Sequence, residues 1–182
     1  LISYIFFILC LTFIALTLYL GITIGRNPLF ILRHCKKSFF LAFSTSSSFI
    51  ALDSVITMFK KNFVNNPRLI NFAVPLGQTM NLAGSLAAIF VTSVICMHLL
   101  HLPLTCTTIL LIGFICLLLV YGAPPVAGGD ISVLTLLFTS WKFPKETLAL
   151  AITAAVCLDC VYTLVNVYSN IVVNFVTNYK LG

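Results

Sequence analysis

Charge is what this chain of 182 residues has least of, and negative charge above all: ten Lys and Arg stand beside only four Asp and Glu. Charged residues reach 8% of the total, against about 25% in soluble domains. A chain so poor in charge does not build the hydrated surface of a soluble globule. The formal balance of +6 would suggest a nucleic-acid partner in a soluble protein. In an apolar chain it marks the cytoplasmic ends of membrane spans, and no nucleic-acid partner is expected. The seven cysteines lie mostly inside apolar runs, which argues against a disulfide framework.

What fills the chain is apolar, 60% of residues with a mean hydropathy of +1.13. These values predict an all-α polytopic membrane protein. The segment 1–25 carries no charged residue and is long enough to span. It is too long for a signal-peptide core and lacks a basic leader, so it reads as a mature helix. The chain opens at Leu1 rather than Met, directly in this span, which predicts that an N-terminal part is missing. Arg26-Asn-Pro28 stops the span, and Arg33, His34, Lys36 and Lys37 then predict a cytoplasmic face.

The next segment, 38–59, has Ser44-Thr-Ser-Ser-Ser48 at its middle and Lys60, Lys61 and Arg68 beyond it. A full span would put basic clusters on opposite sides of the membrane. A re-entrant hairpin over 29–66, turning at the serines, keeps both on one side, as the positive-inside rule prefers. The alternative is one helix whose serines bond back to its own carbonyls. From 69 to 102 runs a long apolar stretch whose centre is crowded with Gly77, Gln78, Thr79, Asn81, Gly84 and Ser85. That predicts a helix broken near the midplane, where protein or a hydrated cavity satisfies the freed backbone groups. The same small residues also suit a close helix–helix seam. His98 and His101 near its end read as a solvated cap more readily than as metal ligands.

Over 104–141, two short apolar arms flank Tyr121-Gly-Ala-Pro-Pro-Val-Ala-Gly-Gly-Asp130, which predicts a second re-entrant hairpin. A plain interhelical loop has the same Gly and Pro content. The last span, 146–179, carries Asp159 at its middle, an expensive residue at that depth. Asp159, Tyr162, Asn166 and Asn170 share a polar face at helical spacing. The competing reading is a stripe that bonds neighbouring helices. Cys157 and Cys160 beside the aspartate read as small packing residues, not as a redox pair.

Three motifs, in this order, carry a family resemblance. Ala42-Phe-Ser-Thr-Ser-Ser-Ser48 resembles the first-hairpin serine motif of the glutamate transporter family, the dicarboxylate/amino acid:cation symporters. Pro75-Leu-Gly-Gln-Thr-Met-Asn-Leu-Ala-Gly-Ser85 resembles that family's Pro-Leu-Gly-Ala-Thr-Ile-Asn-Met-Asp-Gly-Thr, and Asp159-Cys-Val-Tyr-Thr-Leu-Val-Asn-Val167 its Asp-x-x-Arg-Thr-x-x-Asn-Val. The likeness covers essentially the whole chain and points to the C-terminal transport core. It implies transmembrane helices, two re-entrant helical hairpins and a broken midplane helix, with the scaffold helices of a homotrimer absent.

The resemblance also implies roles. Asp159 pairs with the substrate ammonium, Ser48 and Asn166 hold the α-carboxylate, and backbone at Ser46 and Val126 completes the cradle. Ser85 and Tyr162 face the substrate side chain. A coupling sodium ion draws on Thr79, Val120, Tyr121 and Ala123, with Gly77, Asn81, Asn166 and Asn170. Three positions depart from the family: Tyr162 replaces an arginine that binds acidic side chains, while Ala83 and Asn170 replace carboxylates that help hold sodium. The expectation is a multi-pass bacterial inner-membrane symporter, not an enzyme. It takes amino acids, neutral ones above acidic ones, with Na+ or H+ by alternating access and without a cofactor. A non-transporting membrane protein reusing the fold, whether degenerate paralogue or assembly subunit, is the alternative, and a channel the third.

Overall fold

A computed structural model of the chain describes residues 1–25, 27–62, 67–123 and 128–181. All regular structure among them is α-helical. The first helix, α1 (Ile2–Ile24), is apolar all round and ends where Gly25 takes a left-handed φ of 66° and its N–H reaches the Gly21 carbonyl at 2.9 Å. A short α2 (Leu29–His34) leads through Cys35 into α3 (Lys36–Thr45). Ser46 then adopts φ 47°, left-handed backbone that a non-glycine residue enters at a cost of about 1–2 kcal/mol. The chain reverses there into α4 (Ser48–Asn62). Two contacts spaced symmetrically about the turn show the reversal: Ser38 Oγ meets Ser54 Oγ at 3.0 Å, and Cys35 Sγ meets Met58 Sδ at 3.7 Å. The serine run is therefore the tip of a helical hairpin and not the middle of one helix.

The stretch with the small and polar centre is two helices, α5 (Pro67–Met80) and α6 (Ala83–Leu99), interrupted at Asn81 and Leu82. Next comes α7 (Cys106–Gly122), opened by Thr105, whose hydroxyl accepts from the Thr108 N–H at 3.2 Å. Its partner α8 (Gly129–Ser140) packs back on it, burying Val133, Leu134 and Phe138 against Ile112, Cys116 and Val120. Phe138, Trp141 and Phe143 cluster edge to face at the join to α9 (Lys145–Leu181).

α9 organises the rest. At 37 residues it is about 55 Å long, more than a bilayer core requires. Its N-terminal part packs with α6 and α8 through Ala151 and Ala155. Ala154, Leu158, Tyr162 and Val165 pack with α1 and α6, and Val167, Tyr168, Ile171, Val172 and Val176 with α1, α3, α4 and α5. Tyr168 fixes that last junction: its ring stacks on Phe13 at 4.4 Å and its hydroxyl meets Thr17 Oγ1 at 2.9 Å. Each hairpin thus leans on one half of α9, and the breaks converge on its middle.

Three described helical segments are long and apolar enough to cross a membrane: Ile2–Ile24, Ile70–Leu99 and Lys145–Lys180. Large apolar side chains such as Ile22, Leu18, Leu110 and Phe40 face outward, as the surface of a bilayer-embedded protein does.

Candidate functional site

A broken helix leaves N–H groups without partners at the start of its second half. Here Asn166, on α9, supplies the acceptor. Its Oδ1 accepts from the Gly84 N–H at 2.7 Å and the Ser85 N–H at 3.1 Å, and its Nδ2 donates to Ser85 Oγ at 2.9 Å. The approach is close enough that only glycine fits at position 84, where a Cβ would fall on the Tyr162 carbonyl oxygen. One helical turn further along, Asn170 holds the other side of the break. Its Nδ2 donates to Gln78 Oε1 at 2.7 Å and to the Val74 carbonyl at 3.1 Å. Its Oδ1 accepts from Asn174 at 2.6 Å and Asn81 at 3.4 Å. A Cβ on Gly77 would land on that same Oδ1.

Where the break, the two hairpin ends and the middle of α9 meet, a cavity opens. Ser46, Ser48, Leu82, Ser85, Val120, Ala123, Gly129, Asp130, Asp159, Thr163 and Asn166 line it. Its free volume is about 30 Å³, space for water rather than for an amino acid. The structure therefore gathers Ser46, Ser48, Ser85, Asp159 and Asn166 from four different elements. Val126 lies outside the described residues. Tyr162 lines a small apolar cavity next door, beside Ile5, Ala88 and Asp130, and its hydroxyl donates to the Ala155 carbonyl at 2.9 Å.

The residues implied for sodium fall into separate places. Val120, Ala123 and Asn166 line the cavity. Gly77, Asn81 and Tyr121 border a groove on the outer side of α5, with Asn170 just beneath them in the helix seam. Thr79 is exposed and its hydroxyl turns back to the Leu76 carbonyl at 2.8 Å. Asn170 spends both polar atoms within the seam.

Four cavity residues are not among the sequence candidates, Leu82, Gly129, Thr163 and Asp130, and the last two bring polar side chains. Thr163 stands one turn after Asp159 on the same face, a periodicity signal that was there to use. Asp130 looked like the end of a Gly/Pro loop, yet it sits in the first turn of α8 and its Oδ2 accepts from Ser85 Oγ at 2.9 Å. Asn166, Ser85 and Asp130 thus form one wired chain from α9 through α6 to α8. A cavity with carboxylates at Asp130 and Asp159, and donors on Ser46, Ser48 and Asn166, suits a ligand bearing both an ammonium and a carboxylate.

Comparison with known proteins finds relatives of this chain. The serine/threonine transporter SstT of Acinetobacter baumannii strain SDF is 28% identical over 151 residues, covering 80% of this chain and 38% of the transporter. The SstT proteins of strains ATCC 17978 and AYE are each 27% identical over the same shares. The chain thus spans well under half the length of these relatives. The sodium:dicarboxylate symporter family profile matches residues 1–179. The chain belongs to the sodium:dicarboxylate symporter family.

Proposed function

We propose that this chain is the transport core of a secondary active amino-acid symporter, driven by a sodium or proton gradient and preferring neutral to acidic substrates. The observation that carries the reading is the polar cavity at the junction of the helix break, both hairpins and α9. Family membership and the likeness to serine/threonine transporters support it.

In this reading Asp159 pairs with the substrate ammonium. Ser48 and the second N–H of the Asn166 amide hold the α-carboxylate, since one N–H is already given to Ser85. Backbone at Ser46 and Val126 closes the cradle, and Ser85 lies toward the substrate side chain, with Tyr162 as an apolar wall behind it. The free volume is too small for an amino acid, so α7 and α8 must move away from α6 to admit one. That movement breaks the Ser85–Asp130 bond and makes the second hairpin the gate of an alternating-access cycle. Val120 and Ala123, which line the cavity, supply carbonyl oxygens to a coupling cation. The setting is a bacterial inner membrane, and the oligomer a homotrimer built through scaffold helices outside this chain.

Uptake of labelled amino acids into proteoliposomes holding the full-length protein, with sodium and proton gradients imposed separately, tests the proposal. Gradient-dependent uptake of serine, threonine or alanine is the expected result. No uptake of any amino acid under either gradient would instead favour a non-transporting membrane protein that reuses the fold.

A further inference from the structure

Asp130 is the charged group in the cavity for which the symporter reading has no use. Its Oδ2 accepts from Ser85 Oγ, and Ser85 Oγ accepts from Asn166 Nδ2. A hydroxyl has a single proton, so the Asn166 bond forces that proton toward Asp130 and makes Oδ2 an acceptor. The other oxygen, Oδ1, has no hydrogen-bond partner among the described residues. Asp130 also stands in the first turn of α8, where the helix dipole favours a negative charge. No Lys or Arg lines the cavity among the described residues, while Asp159 adds a second carboxylate. An ordinary zwitterion brings one ammonium for Asp159 and a carboxylate of its own, leaving Asp130 with no counter-charge. Asp130 is half-buried in a cavity at membrane depth, where a charge without a partner is costly, and a carboxylate whose bonds come only from neutral donors calls for a cation.

We infer that Asp130 receives a second positive charge carried by the substrate, so that the site takes a short diamino acid. The α-ammonium sits at Asp159 and the side-chain ammonium at Asp130, displacing or sharing the Ser85 hydroxyl. The chain between the two ammonium groups is short because Asp130 and Asp159 line one and the same cavity. This deepens the proposed function and rests on it: the cavity must first be an amino-acid site.

The test uses the purified full-length protein at fixed sodium and compares 2,4-diaminobutyrate with homoserine by calorimetric titration. These ligands differ only in an ammonium or a hydroxyl on the γ-carbon, so the comparison isolates the second charge. Charge-assisted pairing in a poorly hydrated site is expected to make diaminobutyrate bind at least about tenfold more tightly. Asp130→Asn is expected to bring the ratio close to one, and Asp130→Ser, which keeps a polar partner for Ser85, does the same should the asparagine variant not fold. Equal or weaker binding of diaminobutyrate by the unaltered protein overturns the inference. So does a tenfold preference that survives both substitutions, or added sodium that tightens homoserine alone, since the cation is then an ion and not part of the substrate. If serine, homoserine and diaminobutyrate all fail to bind, or bind unchanged in Asp159→Asn, the amino-acid site itself falls and the inference with it.

Discussion

At the scale of single residues, Asn166 does two jobs that Asn166→Ala separates from the rest of the molecule. Removing the amide strips the acceptor from the Gly84 and Ser85 N–H groups, both buried at the start of α6. An unsatisfied buried donor costs roughly 1–3 kcal/mol. The variant is therefore expected to melt several degrees lower in detergent, and Asn166→Asp, which keeps an acceptor, to recover part of the loss. An unchanged melting temperature for Asn166→Ala would show that water takes over the cap. Asp159 acts differently, since no helix end depends on it. Asp159→Asn leaves a bound ammonium without its counter-charge, a loss of about 3–5 kcal/mol for a broken buried pair, and amino-acid binding is expected to disappear in calorimetry. Near-normal affinity would make Asp159 a structural member of the polar stripe.

Among the helical elements, the arms of the first hairpin are informative because of their length. α3 has ten residues and α4 fifteen, about 15 and 22 Å, and neither spans a hydrocarbon core of about 30 Å. Because the chain reverses at Ser46, Lys37 and Lys61 lie at the foot of the same hairpin and border one cavity there. Cysteines introduced at these two positions are expected to react with an impermeant reagent from the cytoplasmic side only. Labelling from opposite faces would mean that the segment crosses the membrane. The α5–α9 seam carries a second prediction at this scale. Ala83 and Asn170 stand where the resemblance places sodium-binding carboxylates, and the Asn170 amide is committed to Val74, Gln78, Asn81 and Asn174. Fewer sodium ions should accompany each substrate than in family members with both aspartates, which reversal-potential measurements in proteoliposomes count directly. An equal count would place the missing ligands elsewhere in the protein.

For the molecule as a whole, what the sequence revealed followed the range of the forces involved. Composition and apolar run length act locally, so the all-helical membrane class was readable without coordinates, as was the interruption between Met80 and Ala83. The cap on α6 was not, because its acceptor lies 82 residues away and nothing about Asn166 in sequence distinguishes a remote cap from a ligand. Asp130 was hidden for a related reason: a carboxylate after two glycines reads as a loop end until the fold brings α8 against Ser85. Its discovery sharpens the charge argument for the complete cavity. A substrate such as glutamate or aspartate brings a side-chain carboxylate into a space that holds Asp130 and Asp159 and is lined by no described Lys or Arg. Desolvating an unpaired carboxylate costs several kcal/mol even after relaxation. Hydroxyl donors return roughly 1.5–3 kcal/mol per bond to a charged group, which offsets that cost only in part. Since about 1.4 kcal/mol is a factor of ten in affinity, the balance weighs against acidic side chains by more than an order of magnitude. Alanine, serine or threonine is therefore expected to outcompete glutamate and aspartate in binding to the full-length protein, and preferential binding of either acidic amino acid would sink the claim. Tyr162→Arg offers the complementary experiment. The tyrosine shares its apolar cavity with Asp130, so an arginine there is placed to neutralise that carboxylate and to extend positive charge toward the site. Acidic substrates should gain relative to neutral ones in this variant, and a preference that does not move would show that Asp130 does not set the charge of the pocket.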